Sequence, residues 1–179
     1  MDNDKLNLIT LAINGSKDAL KRLLKEEEKN IYCAFYYMNK DNFDINDLCQ
    51  NVLLKISNKI TTLKNPKSFK TWLNQIIIHT YYDYLRKYKI KTTNFETDPI
   101  DLEQNPENTM IRKELDRYVQ VAIKNLPERY KIPITLREIE GMSYSQISKI
   151  TNTGINTVKT RISRARDILK DKIKQFEKD

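Results

Sequence analysis

The sequence predicts an all-α chain of two small helical domains joined by a flexible acidic linker. Three observations carry this. Apolar residues recur at helical spacing in most segments, and runs that alternate polar with apolar are few. Only three glycines and five prolines punctuate 179 residues. Between Thr92 and Asn108 stand Glu96, Asp98, Asp101, Glu103 and Glu107 with Pro99 and Pro106 and no cation, in a chain of net charge +8. That composition marks a linker. It divides the chain into 1–91, 92–108 and 109–179, enough residues for two small domains.

In the first part, Leu6, Ile9, Leu11 and Ile13 begin a helix that stops near Asn14-Gly15. Ser16 is placed to cap a second helix running to about Met38, with Leu20, Leu23, Leu24, Ile31 and Phe35 inward. Asn39 to Asp44 is polar and predicts a loop. A third helix follows from Ile45 to about Leu63, its buried stripe being Ile45, Leu48, Val52, Ile56 and Ile60. Opposite that stripe lie Asp47, Gln50 and Leu54. A single exposed leucine is common and needs no partner; flanked by a carboxylate and an amide, it equally suits a helix that docks on another protein.

Asn65-Pro66 breaks the pattern, and Ser68 is placed to cap a fourth helix from Phe69 to about Tyr88. From Lys55 to Lys91 there are nine Lys/Arg against one acid, Asp83, interleaved with Phe69, Trp72, Tyr81, Tyr82, Tyr84 and Tyr88. Cations for phosphates and rings for exposed bases are what unpaired nucleic acid requires. Phe69, Trp72 and Tyr84 are expected in the core, whereas Gln75, His79, Tyr82 and Arg86 share one polar side of the helix and form a candidate surface for opened DNA.

After the linker, Asn108 or Thr109 caps a helix with Ile111, Leu115, Val119 and Ile123 on its apolar side. Leu126-Pro127 turns into a helix from Glu128 to Glu140, with Gly141 as C-cap and Pro133 placed to kink it or delay its start. Ser143 caps a short helix with Ile147 and Ile150 inward. Asn152 and Gly154 tolerate the dihedrals of a tight turn. A basic helix then buries Ile155, Val158, Ile162, Ala165 and Leu169. Asn156, Thr160, Ser163 and Arg164 face away from that stripe, flanked by Lys159, Arg161 and Arg166. Short hydrogen-bonding side chains between cations suit a helix in a major groove, reading base edges while gripping phosphates. A solvated helix hairpin is the plainer alternative, but a short helix, tight turn and basic second helix together point to a DNA-reading helix-turn-helix.

Composition also excludes. Cys33 and Cys49 offer neither metal-ligand spacing nor a disulfide framework and fit the core of a protein in a reducing cytoplasm. No stretch approaches the roughly 20 apolar residues of a membrane span, and no leader is visible. His79, the one histidine, has no Cys, Asp or Glu at ligand spacing, so no catalytic group, metal or cofactor is expected.

Three passages together resemble a bacterial RNA polymerase sigma factor of the extracytoplasmic-function (ECF) subfamily. Asp47-Leu-Cys-Gln-Asn-Val-Leu-Leu-Lys55 is similar to the family's polymerase-docking motif, and Phe69 to Arg86 to its F-x-x-W-L…D-x-x-R helix. Leu126-Pro-Glu-Arg-Tyr130, Glu140-Gly-Met-Ser-Tyr144 and Asn156 to Arg166 resemble its fourth region, a helix-turn-helix of winged-helix-like type. The resemblance implies sigma region 2 in 1–91 and region 4 in 109–179, a non-enzymatic cytoplasmic initiation factor. Its partners would be core RNA polymerase (clamp helices and flap), promoter DNA and an anti-sigma factor. It places Asp47, Gln50, Asn51 and Leu54 at the clamp helices. Lys64, Asn65, Lys67 and Ser68 fall in the loop that captures a flipped minus-ten base, with Trp72, Gln75, His79, Tyr82 and Arg86 along melted DNA. Lys159, Thr160, Ser163 and Arg164 face the minus-thirty-five element, with Asn156, Arg161 and Arg166 beside them, and the acidic linker heads for the RNA exit channel. The sequence departs from the family at His79, where Asn is usual, at Ile77-Ile78, where strand contacts would differ, and at Asn152 and Gly154, which lose a capping hydroxyl.

Two other classes are weighed beside it. A stand-alone helix-turn-helix repressor or activator has no use for the Asp47/Gln50/Leu54 face or the basic-aromatic segment. A nuclease-like enzyme needs clustered carboxylates or histidines in the basic half, which Asp83 alone does not supply.

Overall fold

The computed structural model describes residues 3–38, 45–91 and 118–176, the side chains of 88–91 and 175–176 excepted. The described elements are all helical: α1 (Asn3–Ile13), α2 (Lys17–Met38), α3 (Ile45–Lys59), 3₁₀ turns at Ile60–Thr62 and Pro66–Ser68, α4 (Phe69–Lys91), α5 (118–124), α6 (Glu128–Glu138), α7 (Tyr144–Thr151) and α8 (Ile155–Phe176). The expected loop 39–44, linker 92–108, cap at Asn108 or Thr109, and inward Ile111 and Leu115 lie outside the described residues. Two compact units divide the chain, the first built mainly on α1–α4 and the second on α5–α8.

In the first unit, α1 closes on Gly15, whose φ of +93° lets Ser16 N–H return to the Leu11 carbonyl at 3.0 Å. Ser16 Oγ then accepts from Ala19 N–H at 3.3 Å, the expected cap of α2. Leu23, Ile31 and Phe35 are fully buried, while Leu20 and Leu24 are half-buried at the rim of that stripe. Buried among them is a carboxylate, Glu27, paired with Lys5 at 2.5 Å and receiving Asn30 Nδ2 at 3.0 Å. A charge there is tolerable only with such partners.

The α3 stripe forms as expected on Leu48, Val52 and Ile56, with Ile45 half-buried at its start. The α-helix ends at Lys59, short of Leu63; Ile60 and Leu63 reach the core from a 3₁₀ turn instead. The expected Ser68 cap is displaced. Asn65 Oδ1 accepts from Lys67 N–H at 3.0 Å and the Asn65 carbonyl from Ser68 N–H at 2.9 Å, so Ser68 ends a 3₁₀ turn that runs directly into α4. That helix continues past Tyr88 to Lys91. Its core aromatics also differ from expectation. Phe69, Leu73, Ile77 and Tyr81 stack at four-residue intervals and are buried, whereas Trp72 and Tyr84 sit half-buried at the edges of that stripe. Helix phase, not ring size, decides which ring is covered. α1 packs on both 3₁₀ turns and α3 on α4.

In the second unit, α6 is the buried centre, with Tyr130 to Leu136 covered throughout. Lys131 is 1% exposed and ion-paired to Glu128 at 2.9 Å. Pro133 does not delay the helix: Tyr130 and Lys131 N–H groups already reach the Pro127 carbonyl at 2.8 and 3.0 Å, and the helix runs on through the proline. The helix ends at Glu138 rather than Glu140. There the Thr135 carbonyl accepts from both Ile139 and Glu140, and Met142 N–H returns to the Leu136 carbonyl at 3.0 Å across Gly141 at φ +65°. Ser143 caps α7 in a full capping box with Gln146, and Ile147 and Ile150 are buried as expected.

The expected turn is present, and of its two permissive residues Asn152 takes the left-handed conformation (φ 49°) while Gly154 does not. Ser148 Oγ donates to the Thr153 carbonyl at 2.6 Å, and Thr153 N–H to the Ser148 carbonyl at 3.0 Å, which closes the turn. α8 packs on α6 and α7 through Val158, Ile162 and Ala165. Leu169 is half-buried, and Ile155, expected inward, is 43% exposed because it precedes the first packed turn. Tyr118 of α5 donates to the Lys172 carbonyl at 2.7 Å, tying α5 to the end of α8.

Candidate nucleic-acid interface

Because α8 is clamped by Val158, Ile162 and Ala165, its opposite side is left to solvent. Asn156, Lys159, Thr160, Ser163, Arg164 and Arg166 are exposed and Arg161 half-buried. The cations on this helix are not equivalent. Arg166 donates to Glu138 Oε1 of α6 from Nε at 3.2 Å and Nη2 at 2.6 Å, which turns its guanidinium back toward α6. The Arg164 guanidinium beside Tyr130, first, with the Arg129 charge, holds the phenol below its usual pKa against the effect of burial. Thr160 Oγ1 donates to the Asn156 carbonyl at 2.9 Å. Lys159 and Ser163 are exposed on the same helix.

Sequence reasoning missed the supports of this face. Arg137 donates to the Met142 carbonyl at 2.7 Å and lies 4.8 Å over the Tyr144 ring, fixing the α6–α7 corner. Arg129 lies 4.8 Å over the Tyr130 ring. The sequence signal for these residues is that Arg129 and Tyr130 belong to the Leu126–Tyr130 passage and Met142 and Tyr144 to the Glu140–Tyr144 passage, whereas Arg137 lies in neither.

In the first unit, Lys64, Asn65, Lys67 and Ser68 are exposed around the second 3₁₀ turn. Gln75 and Tyr82 are half-buried and His79 and Arg86 exposed, so the predicted stripe on α4 is open along its length. Trp72 lies at its edge, its ring tilted 39° against Phe69 at 5.9 Å. Asp83 ties the stripe to α3: it pairs with Arg86 and stands 3.8 Å from Lys55 Nζ, which also donates to the buried Thr80 hydroxyl at 2.9 Å. On the outer side of α3, Asp47, Gln50 and Asn51 are exposed and Leu54 is 61% exposed.

Of the two cysteines, Cys49 is buried and Cys33 half-buried; burial first, then the charge of Glu28, pushes the Cys49 thiol up to about 11. Among the described residues no group of three or more His, Cys, Asp or Glu is placed to hold a metal ion, and no helix is long and apolar enough to cross a membrane.

Two family models match the chain, Sigma-70 region 2 over residues 23–90 and Sigma-70, region 4 over residues 116–169. An ECF RNA polymerase sigma-E factor from Haemophilus influenzae is 36% identical over 178 residues, covering 93% of each chain. The chain belongs to the ECF sigma factors. The sigma-E factor of Escherichia coli K12 is 32% identical over 141 residues, 73% of this chain and 74% of that one. Two solved structures share the fold of this sigma factor. CnrH, in complex with the cytosolic domain of CnrY, has a TM-score of 0.68 at 20% identity over 97% of this chain and 99% of its own. The sigma factor RpoE of Bartonella quintana, in complex with the anti-sigma factor NepR, has a TM-score of 0.70 at 23% identity over 86% and 96%. An ECF sigma factor is a non-enzymatic subunit that directs core RNA polymerase to initiate at promoters.

Proposed function

We propose that this sigma factor divides its task among three surfaces. Asp47, Gln50, Asn51 and Leu54 on α3 dock on the clamp helices of core polymerase. Lys64, Asn65, Lys67 and Ser68 with Trp72, Gln75, His79, Tyr82 and Arg86 hold the unpaired bases of the minus-ten element. Asn156, Lys159, Thr160, Arg161, Ser163 and Arg164 engage the minus-thirty-five duplex, with Arg166 beside them held to Glu138. Residues 1–91 and 109–179 act as separate modules, with 92–108 passing toward the RNA exit channel and region 4 resting on the flap. A sigma factor of this fold, RpoE, has been captured with the anti-sigma factor NepR, and we extend the same class of partner to this chain.

The observation that carries this is Leu54. It is 61% exposed, the most exposed of the large apolar side chains among the described residues, on a helix whose opposite side is fully buried. An exposed leucine between a carboxylate and two amides, on a helix packed along its other side, suits a partner's pocket. The test is retention of core polymerase on the immobilised chain. Leu54→Asp is expected to reduce retention by on the order of 10-fold or more, the loss of a buried apolar anchor plus a charge placed in its pocket. Undiminished retention by the folded variant would show that docking uses another face.

A further inference from the structure

We infer that Asp83 is a positioning residue for the strand-holding face of α4: it fixes Arg86 in place for the unpaired strand, with Lys55 of α3 as its buttress. Asp83 is the one acid against nine Lys/Arg between Lys55 and Lys91. On a surface that receives a polyanion, a carboxylate lowers the local attraction. Its place there needs a separate reason.

The geometry supplies one. The two oxygens of Asp83 are divided between cations on different helices. Oδ1 receives Arg86 Nη2 from one turn further along α4, and Oδ2 stands 3.8 Å from Lys55 Nζ. Lys55 is itself pinned, because the same ammonium donates to the buried Thr80 hydroxyl at 2.9 Å. The buried hydroxyl places the ammonium, the ammonium places the carboxylate, and the carboxylate places the guanidinium.

An exposed pair one turn apart contributes little to stability in water, so orientation is the larger effect. The Arg86 side chain stays 76% exposed within the pair, against 47% for Asp83 and 38% for Lys55. Its guanidinium is held outward, not folded back onto the helix. The contact to Asp83 engages Nη2, which leaves donors on Nε and Nη1 for an oxyanion. A long side chain held in place beforehand loses less freedom on binding. With two cations around one acid, the junction also keeps a net positive charge. Lys55 directly follows Leu54, so the buttress stands on the helix assigned to polymerase docking.

This rests on the assignment of Gln75, His79, Tyr82 and Arg86 to the melted minus-ten strand, and names what holds one of them in place. The test uses the full chain at saturating core polymerase, titrated with a labelled single strand that spans the minus-ten element of a promoter this holoenzyme opens. Arg86→Gln is expected to weaken binding by about 10-fold. Asp83→Asn keeps the side chain's shape and removes a negative charge, which by charge alone would tighten binding. The positioning role predicts the opposite sign, a loss of about 3- to 10-fold, as for one long side chain set free. Asp83→Glu keeps a carboxylate and is expected to recover most of that loss, and Lys55→Met to give a smaller loss of the same kind. In the Arg86→Gln background, Asp83→Asn is expected to cost nothing further, a non-additivity that general damage to the helix would not produce. Tighter or unchanged binding by Asp83→Asn, with Arg86→Gln still weakened, overturns the positioning role and leaves the strand assignment standing. Indifference to Arg86→Gln removes the strand assignment of Arg86 itself, and the positioning role falls with it.

Discussion

Single residues of the helix-turn-helix show how far a sequence constrains a turn. Asn152 and Gly154 both permit a left-handed backbone, but only Asn152 adopts it, at φ 49°. A Cβ at Gly154 would meet only Thr157 Oγ1, at 3.9 Å. Gly154 precedes α8, where its carbonyl accepts from Val158 N–H at 3.0 Å, and a hydroxyl there would cap the helix. Gly154→Ser is therefore expected to stabilise the chain by about 0.5–1 kcal/mol, through the cap and a less flexible unfolded state. Asn152→Ala is expected to cost about 1–2 kcal/mol. Urea unfolding midpoints check both, and a loss with Gly154→Ser would mean that the turn uses a conformation only glycine allows.

Cys49 supports a second residue-scale prediction. Its thiol is pushed up to about 11, chiefly by burial, against roughly 8.5 for a free thiol. A raised acid pKa means that the folded state keeps the proton longer. Its contribution to stability is then complete below about pH 8.5 and is lost as pH climbs through about 11. Alkylation at pH 8 should spare Cys49 until the protein unfolds. Rapid labelling in the native state would contradict its burial.

At the scale of elements, periodicity was a good guide wherever a helix buries one simple stripe. The stripes of α3 and α7 could be predicted because Leu48, Val52 and Ile56, and Ile147 and Ile150, leave no competing phase. α4 was harder. Phe69 to Tyr81 and Trp72 to Tyr84 offer two plausible apolar phases, and only the neighbours decide that Tyr81 is covered and Trp72 is at the edge. Helix ends were hidden too, since the stop at Glu138 depends on Gly141 and on carbonyl sharing at Thr135.

Long-range polar ties carry no periodicity at all. Glu27 with Lys5, Lys55 with Thr80, and Arg166 with Glu138 join residues far apart in the chain, and the sequence does not announce them. The last of these joins α8 to α6 through half-exposed groups, so its contribution is small. A double-mutant cycle of Arg166→Ala and Glu138→Ala is expected to show a coupling of about 0.5 kcal/mol that fades in high salt. Full additivity would mean that Arg166 is free to serve DNA as an ordinary surface cation.

Across the whole molecule, the class of protein was legible because three short passages recur in the right order along one chain. What was not legible is which cations on α8 are free to act. Seven polar side chains are predicted for that face, yet Arg166 is turned to Glu138, and that partner lies on another helix. A face read from one helix omits whatever its neighbours do to it. The division between α1–α4 and α5–α8 suits a factor that must grip polymerase and DNA at more than one place, since each unit closes its own core.

The central claim, that this chain directs promoter-specific initiation through an α3 docking face, is tested most directly by transcription with core RNA polymerase freed of every sigma factor. Templates would be a pool of genomic fragments. The account predicts discrete start sites that appear only when the chain is added, share an upstream element at fixed spacing, and vanish with Leu54→Asp. Absence of any initiation by the folded wild-type chain, or full initiation by Leu54→Asp, would contradict it.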